Sequence, residues 1–249
     1  MTSEVLRTAI TMMLRLTAGA EEGALLELSP ADRQPSGSAR AWSFTATVAH
    51  NSEFKRQQVV RLRAVHSRET PPEFAETDHG SDAVYAGFAA LPWEAVLQDS
   101  RATTAALIDS LWAVEHEDLT RPERLPWLRG RPLWLQVVVR GFWHPGGHLS
   151  ECLMRSDQGE SALRLHRAGV ALAEAVDLPP PARGMAQYSL ACAQALSGDL
   201  AASLTSIGRA VELNSDLALN ARRDPDLASA RALTAWPLPV ADVSRAGDS

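Results

Sequence analysis

Apolar residues return every three to four positions through most of this 249-residue chain, the period at which an α-helix presents one face. Strand signals, meaning short alternating runs rich in β-branched and aromatic residues, are nearly absent. The expected fold class is therefore all-α. A first helix is predicted from about Ser3 to Leu28, with Leu6, Ile10, Met13, Leu14 and Ala18 on its buried stripe, and the Pro30 to Ser38 stretch ends it. A second begins near Ser43, whose hydroxyl suits an N-cap, and runs to Val65 with Val48, Phe54, Val59 and Leu62 inward. Ser67 to Leu91 holds Pro71, Pro72, Gly80 and Gly87 without clear periodicity and reads as a long connection, which lets successive helices run parallel. The third helix spans roughly Pro92 to Glu117, with Val96, Thr103, Leu107 and Leu111 inside. After a turn region from Arg121 to Arg131, the fourth covers about Pro132 to Arg155. The arrangement expected is a four-helix bundle with a long crossover between its second and third helices.

A further helix is predicted near Glu160 to Val176, and Pro179, Pro180 and Pro181 then form a stiff break. Residues 1–177 are accordingly read as one bundle domain, 178–236 as a small helical module, and 237–249 as a disordered tail. Hydrophobic residues make up 45% and charged residues 22% of the chain, ordinary for a globular protein. The net charge of −6 offers no basic patch of the kind phosphate neutralisation requires, so a nucleic-acid partner is not expected. No stretch approaches the roughly 20 apolar residues of a membrane span, and the opening segment lacks a charged n-region and cleavage site, so the expected location is cytoplasmic. Cys152 and Cys192 are read as reduced thiols. Lys55 is the only lysine beside many arginines and alanines, a bias that suggests a high-GC bacterial genome.

The most informative segment is RGFWHPGGHLSEC. His144 and His148 are four residues apart, which on a helix stacks their side chains on one face about 6 Å apart along the axis. Two imidazoles so placed suit one metal ion. His50 lies on the inward side of the second helix, and at 1.5 Å per residue it sits about 12 Å from that helix's start while His148 sits about 13 Å from the end of the fourth. In antiparallel neighbours those heights agree. Three neutral imidazoles suit Zn, Ni or Fe(II) and leave coordination positions open for water or substrate. Pro145, Gly146 and Gly147 interrupt this helix at a cost of about 3 kcal/mol for the proline and nearly 1 kcal/mol for each glycine, so a bend near Gly141 is expected, with a loop that breaks the helix as the rival. Glu53 and Glu151 lie one turn beyond His50 and His148 and are candidates to orient an imidazole or act as a general base. Arg61 and Arg140 are candidates to hold an anionic substrate or cofactor. Trp134 and Trp143 line the pocket or fill the core, and Cys152 is a ligand, a nucleophile or a small hydrophobe, with packing favoured. His66, His79, His116 and His166 are expected on the surface.

WSFTATVAHNSEF on an early helix, a long connection, and GFWHPGGHLSE on a late one resemble the DinB-like superfamily of four-helix metal proteins over roughly Met1 to Val176. The resemblance implies that one histidine of the second helix and a pair on the fourth bind the metal, here His50, His144 and His148. Some thiol-dependent isomerases of that superfamily carry a glutamate where His144 stands, so the chain resembles the three-histidine branch. A thiol-dependent S-transferase acting on a small molecule, with a low-molecular-weight thiol as cosubstrate, is the activity the resemblance implies. A metal-dependent hydrolase or lyase without a thiol, and a non-catalytic metal-binding scaffold, stand as alternatives. The C-terminal segment resembles a single tetratricopeptide unit at Tyr188, Leu190, Ala193, Gly198, Asp199 and Ala210, with Ser203 in place of the customary alanine. One such unit cannot bury its own face and should stack on neighbouring helices. Packing, a homodimer surface and a groove for a protein partner all remain open for it.

Overall fold

The computed structural model describes residues 2–29, 37–38, 41–74, 82–156 and 158–237. The fold is all-α, apart from a two-stranded ladder. The elements of the first unit are α1 (Ser3–Glu27), β1 (Gly37–Ser38), β2 (Ala41–Trp42), α2 (Phe44–His66), α3 (Asp82–Ala89), α4 (Trp93–Ala113), α5 (His116–Thr120), α6 (Leu133–Val138), a π-helical turn (Val139–Trp143), α7 (His144–Arg155) and α8 (Gly159–Ala175). The second unit contains α9 (Pro180–Leu196), α10 (Leu200–Leu213), α11 (Leu217–Ala221) and α12 (Ala228–Arg231). Contacts divide the chain into Met1–Asp177 and Leu178–Ser249.

Side-chain caps start α1 and α2. Thr2 Oγ1 accepts from the Val5 amide and Ser43 Oγ from the Ala46 amide, each satisfying a donor that the first turn leaves orphaned. In the first unit, α2 packs on α4 and α7, α1 packs on α4 and α8, and α7 packs on α8. Leu6, Ile10, Met13 and Leu14 of α1, Val48 and Leu62 of α2, and Leu107 and Leu111 of α4 are fully or almost fully enclosed among them. Ala18 is only half-buried, because the inward stripe of α1 turns polar there and continues through Thr17 and Glu21.

Two elements depart from the sequence reading. The Ser67 to Leu91 connection contains α3, which packs against α2. The expected continuous helix from Pro132 to Arg155 is instead α6, a π turn and α7. A proline inside an α-helix lacks the amide for its i−4 partner and crowds that carbonyl. Here the turn before Pro145 widens, and the His144 amide donates to the Val139 carbonyl, five residues back. The helix thus passes through the proline without a loop. Gly141 sits in the widened turn against α1, where a Cβ would lie 2.3 Å from Leu14 Cδ2.

In the second unit, α9 and α10 pack along each other, joined at Gly198, whose φ of +85° is left-handed backbone that glycine adopts without strain. Its core is Tyr188, Ala191, Ala195, Ile207, Ala210, Leu217, Ala221, Leu227 and Ala230, so the segments after α10 supply the apolar cover that two helices alone would lack. Ser203 is fully buried and donates to the Ala191 carbonyl at 2.8 Å, which satisfies its hydroxyl inside the α9–α10 contact. Of residues 237–249, expected to be a tail, all but Pro237 fall outside the described residues.

Candidate metal centre

His50 projects from α2 and His144 and His148 from the first turns of α7. Their rings pack against one another, with centroids 5.4 Å apart for His50 and His144, 5.2 Å for His50 and His148, and 4.5 Å for His144 and His148. The Nε2 atoms of His50 and His144 are 3.2 Å apart. One ligand nitrogen from each residue lies within 4.8 Å of the others. A tetrahedral site with metal–nitrogen bonds of about 2.1 Å separates its nitrogens by about 3.4 Å. The His50–His144 separation is close to that value and the third nitrogen lies within 4.8 Å, so the three imidazoles could hold one ion, with His50 buried and the other two half-buried.

Aromatic rings close around this group. Phe54, one turn beyond His50, lies 4.6 Å from the His50 ring and 4.3 Å from that of His144. Trp42, at the end of β2, and Phe88, from α3, meet His50 edge-on at 5.1 and 5.6 Å. Tyr85 adds a further ring against Trp42. An apolar wall excludes water and strengthens electrostatic interactions within the site. Trp42, Tyr85 and Phe88 were absent from the sequence-based candidates, because they come from the short ladder and the helix that the pattern of the long connection did not reveal.

The other candidates are scattered. Glu53 is half-exposed and paired with Arg56, which also grips Asp99 on α4. Glu151 is exposed on α7. Arg140 stacks on Phe54, a residue that touches two of the histidines, with its guanidinium 4.8 Å from the ring centre. Arg61 stacks on Phe74 at 4.8 Å. Burial, and then the charge of Arg140, pull the Arg61 guanidinium below its usual pKa, and its enclosed Nη1 has no hydrogen-bond partner. Trp134 and Trp143 are core residues. Cys152 is buried, with its sulfur 3.0 Å from Thr47 Oγ1 and 3.4 Å from the Trp42 carbonyl, and burial raises its pKa, which favours the inert thiol.

Of the histidines assigned to the surface, His66 is exposed, His116 is half-buried, and His79 lies outside the described residues. His166 does not fit that expectation, because it is buried on the face of α8 that meets α7. Ser150 donates to the Gly146 carbonyl at 2.7 Å, so its oxygen accepts from His166 Nε2 at 2.7 Å. Burial lowers the pKa of His166 to about 4, keeping it neutral. Polarity alone gives no hint of this; its place beside Ala162, Leu163, Leu165 and Gly169 on the inward stripe does.

A second group able to approach one ion, Cys192, Asp224 and Asp226, occurs in the C-terminal unit. Its chemistry is that of a cap. Asp224 accepts from the Asp226 amide at 3.0 Å and from the Tyr188 hydroxyl at 2.7 Å, while burial raises the pKa of both Cys192 and Asp226. Comparison of the chain with known protein families, characterised proteins and solved structures finds no match. Geometry and the sequence pattern carry the functional reading.

Proposed function

We propose that this chain is a divalent-metal-dependent enzyme in which His50, His144 and His148 hold a single Zn, Ni or Fe(II) ion. The observation that carries the proposal is the meeting of three imidazole nitrogens, from two helices far apart in sequence, within 4.8 Å of one another. α1, α2, α4 and the α6–α7 segment then form a DinB-like four-helix bundle, and α9 and α10 a tetratricopeptide-like unit. Three protein ligands leave a position open, which is how catalytic sites differ from closed structural ones. An ion held there would supply Lewis acidity toward water, a thiol or a carbonyl. The aromatic wall of Trp42, Phe54 and Phe88 favours a substrate with an apolar portion, and Arg140, stacked on Phe54, and Arg61, close enough to feel its charge, offer positive charge. Within this class a thiol-dependent S-transferase is preferred on the strength of the resemblance in WSFTATVAHNSEF and GFWHPGGHLSE.

Elemental analysis of the purified protein tests the metal. About one ion per chain is expected, and His50→Ala, His144→Ala and His148→Ala should each lose most of it, since two imidazoles hold divalent ions poorly. Metal content unchanged in all three variants would sink the triad. Mycothiol, glutathione and cysteine, each paired with electrophilic acceptors, then separate the reaction classes. Turnover with water and with no thiol would move the assignment to a hydrolase or lyase.

A further inference from the structure

Beneath the histidines lies a buried polar network that a packing core does not need. Lys55, the only lysine of the chain, is fully enclosed, with Nζ 2.6 Å from Glu21 Oε2, and Glu21 is equally enclosed. Thr104 Oγ1 stands 3.4 Å from Nζ, and Ser100 donates to the same carboxylate oxygen at 2.9 Å. The other oxygen, Glu21 Oε1, accepts from Asn51 Nδ2 at 2.9 Å, and that nitrogen also lies 3.3 Å from the Pro145 carbonyl. Both neighbours of Nδ2 are acceptors, so only one orientation of the Asn51 amide fits, with one proton for each. Its Oδ1 is left enclosed and without a donor.

Removing two opposite charges from water costs enough that such a pair is often no better for stability than well-packed apolar residues. An enclosed amide oxygen without a donor adds to that cost. The network therefore needs a reason other than stability, and its position supplies one. Asn51 follows His50 in the chain, and Pro145 follows His144. We infer that Asn51, held by the Glu21–Lys55 ion pair, is a positioning residue for the metal centre: its side chain ties the residue after His50 to the carbonyl of Pro145, the residue after His144, and so sets the spacing of the two imidazoles. This rests on the metal-binding reading above. The clamp acts where the helix is irregular, because α7 enters the site through the widened turn that ends at His144. Ligand placement within about 0.5 Å is what a pre-organised site requires. The Glu21 carboxylate, gripped from α2 by Lys55 and from α4 by Ser100, provides the fixed point.

The test compares zinc affinity, measured by chelator competition on the full-length protein, with metal-free thermal stability and with the visible spectrum of the cobalt-substituted form. Asn51→Ala should lower zinc affinity by about 10 to 100-fold, the usual effect of losing a residue that orients a ligand, and should shift the cobalt absorption. The double variant Glu21→Leu with Lys55→Met should do the same while melting, metal-free, no lower than Leu62→Ala, because the lost ion pair is offset by apolar packing while the Asn51 and Ser100 donors it leaves unpaired cost some stability. Leu62→Ala, a fully buried position elsewhere on α2, should melt lower yet keep zinc affinity and spectrum. Wild-type affinity and an unshifted spectrum in Asn51→Ala would overturn the inference even if the double variant failed to fold. So would an affinity loss in Asn51→Ala no larger than in Leu62→Ala. A wild-type protein that binds no zinc would bring down the triad itself, a result distinguishable from either.

Discussion

His166 joins α8 to the turn that carries His144 and His148, through Ser150 and the Gly146 carbonyl. Burial disfavours the charged form of its imidazole. In the folded state it takes up a proton only near pH 4, whereas in the unfolded chain it does so near pH 6.5. Between those values the unfolded state binds more protons, so folding stability falls as pH is lowered from about 6.5 to 4, by on the order of 3 kcal/mol. His166→Gln keeps a hydrogen-bonding group but cannot titrate, and its stability should decline less over that window. Urea unfolding of the metal-free proteins near neutral pH and near roughly pH 4.5 measures the difference. The triad is common to both proteins, so its own proton uptake cancels. Equal declines would mean that His166 is not held neutral by burial.

The π turn and α7 show how an element is shaped by what it packs against. Gly141 lets the widened turn approach α1 and α4: a methyl there would fall 2.3 Å from Leu14 Cδ2 and 3.3 Å from Leu107 Cδ2, and both leucines are fully buried. Gly141→Ala should therefore destabilise by about 1 to 3 kcal/mol despite the better helix propensity of alanine. Gly147 is exposed, and an added methyl meets nothing within 4 Å, so Gly147→Ala should gain up to about 1 kcal/mol. Thermal unfolding of the two variants should move in opposite directions, and a neutral Gly141→Ala would refute the close approach. Much of this architecture is legible in the sequence, because helical period is a local signal. Val48, Phe54, Val59 and Leu62 of α2 are buried as their spacing predicts, and the same period brings His144 and His148 to one face. What is not local was not legible. α3 lies among prolines, glycines and acids, and the rings it lends to the site meet β2 and α2 only in the folded chain. The burial of Glu21 and Lys55 is not legible either, because a charge is rarely buried without a partner, and each finds its partner 34 residues away. A lone lysine at Lys55, in a helix whose positions Val48, Leu62 and Val65 are all core, was the one available clue.

At the level of the whole molecule, the two compact units differ in what holds them together. The first encloses long leucine, valine and isoleucine side chains from several helices together with the histidine cluster. The second has a core cluster built largely of alanine, in which Ala191, Ala195, Ala210, Ala221 and Ala230 bury little area each. At about 25 cal/mol per Å² such a core stabilises weakly, and a unit below about 80 residues seldom has stability to spare. Cutting the chain after Pro179 should therefore leave a helical fragment that retains metal, because every residue argued to hold or position the ion precedes the cut. Residues Pro180 to Ser249 alone should show shallow, poorly cooperative thermal unfolding and reduced helical circular dichroism. Circular dichroism of both fragments and metal content of the first measure this. If the first fragment aggregates or loses its ion, the C-terminal helices complete the same core, and the proline run is an internal bend in one domain. If instead the C-terminal fragment folds cooperatively by itself, contacts such as Tyr188 to Asp224 and Arg231 to the Ala221 carbonyl, which tie its last turns back onto its earlier helices, must contribute more than its small core does.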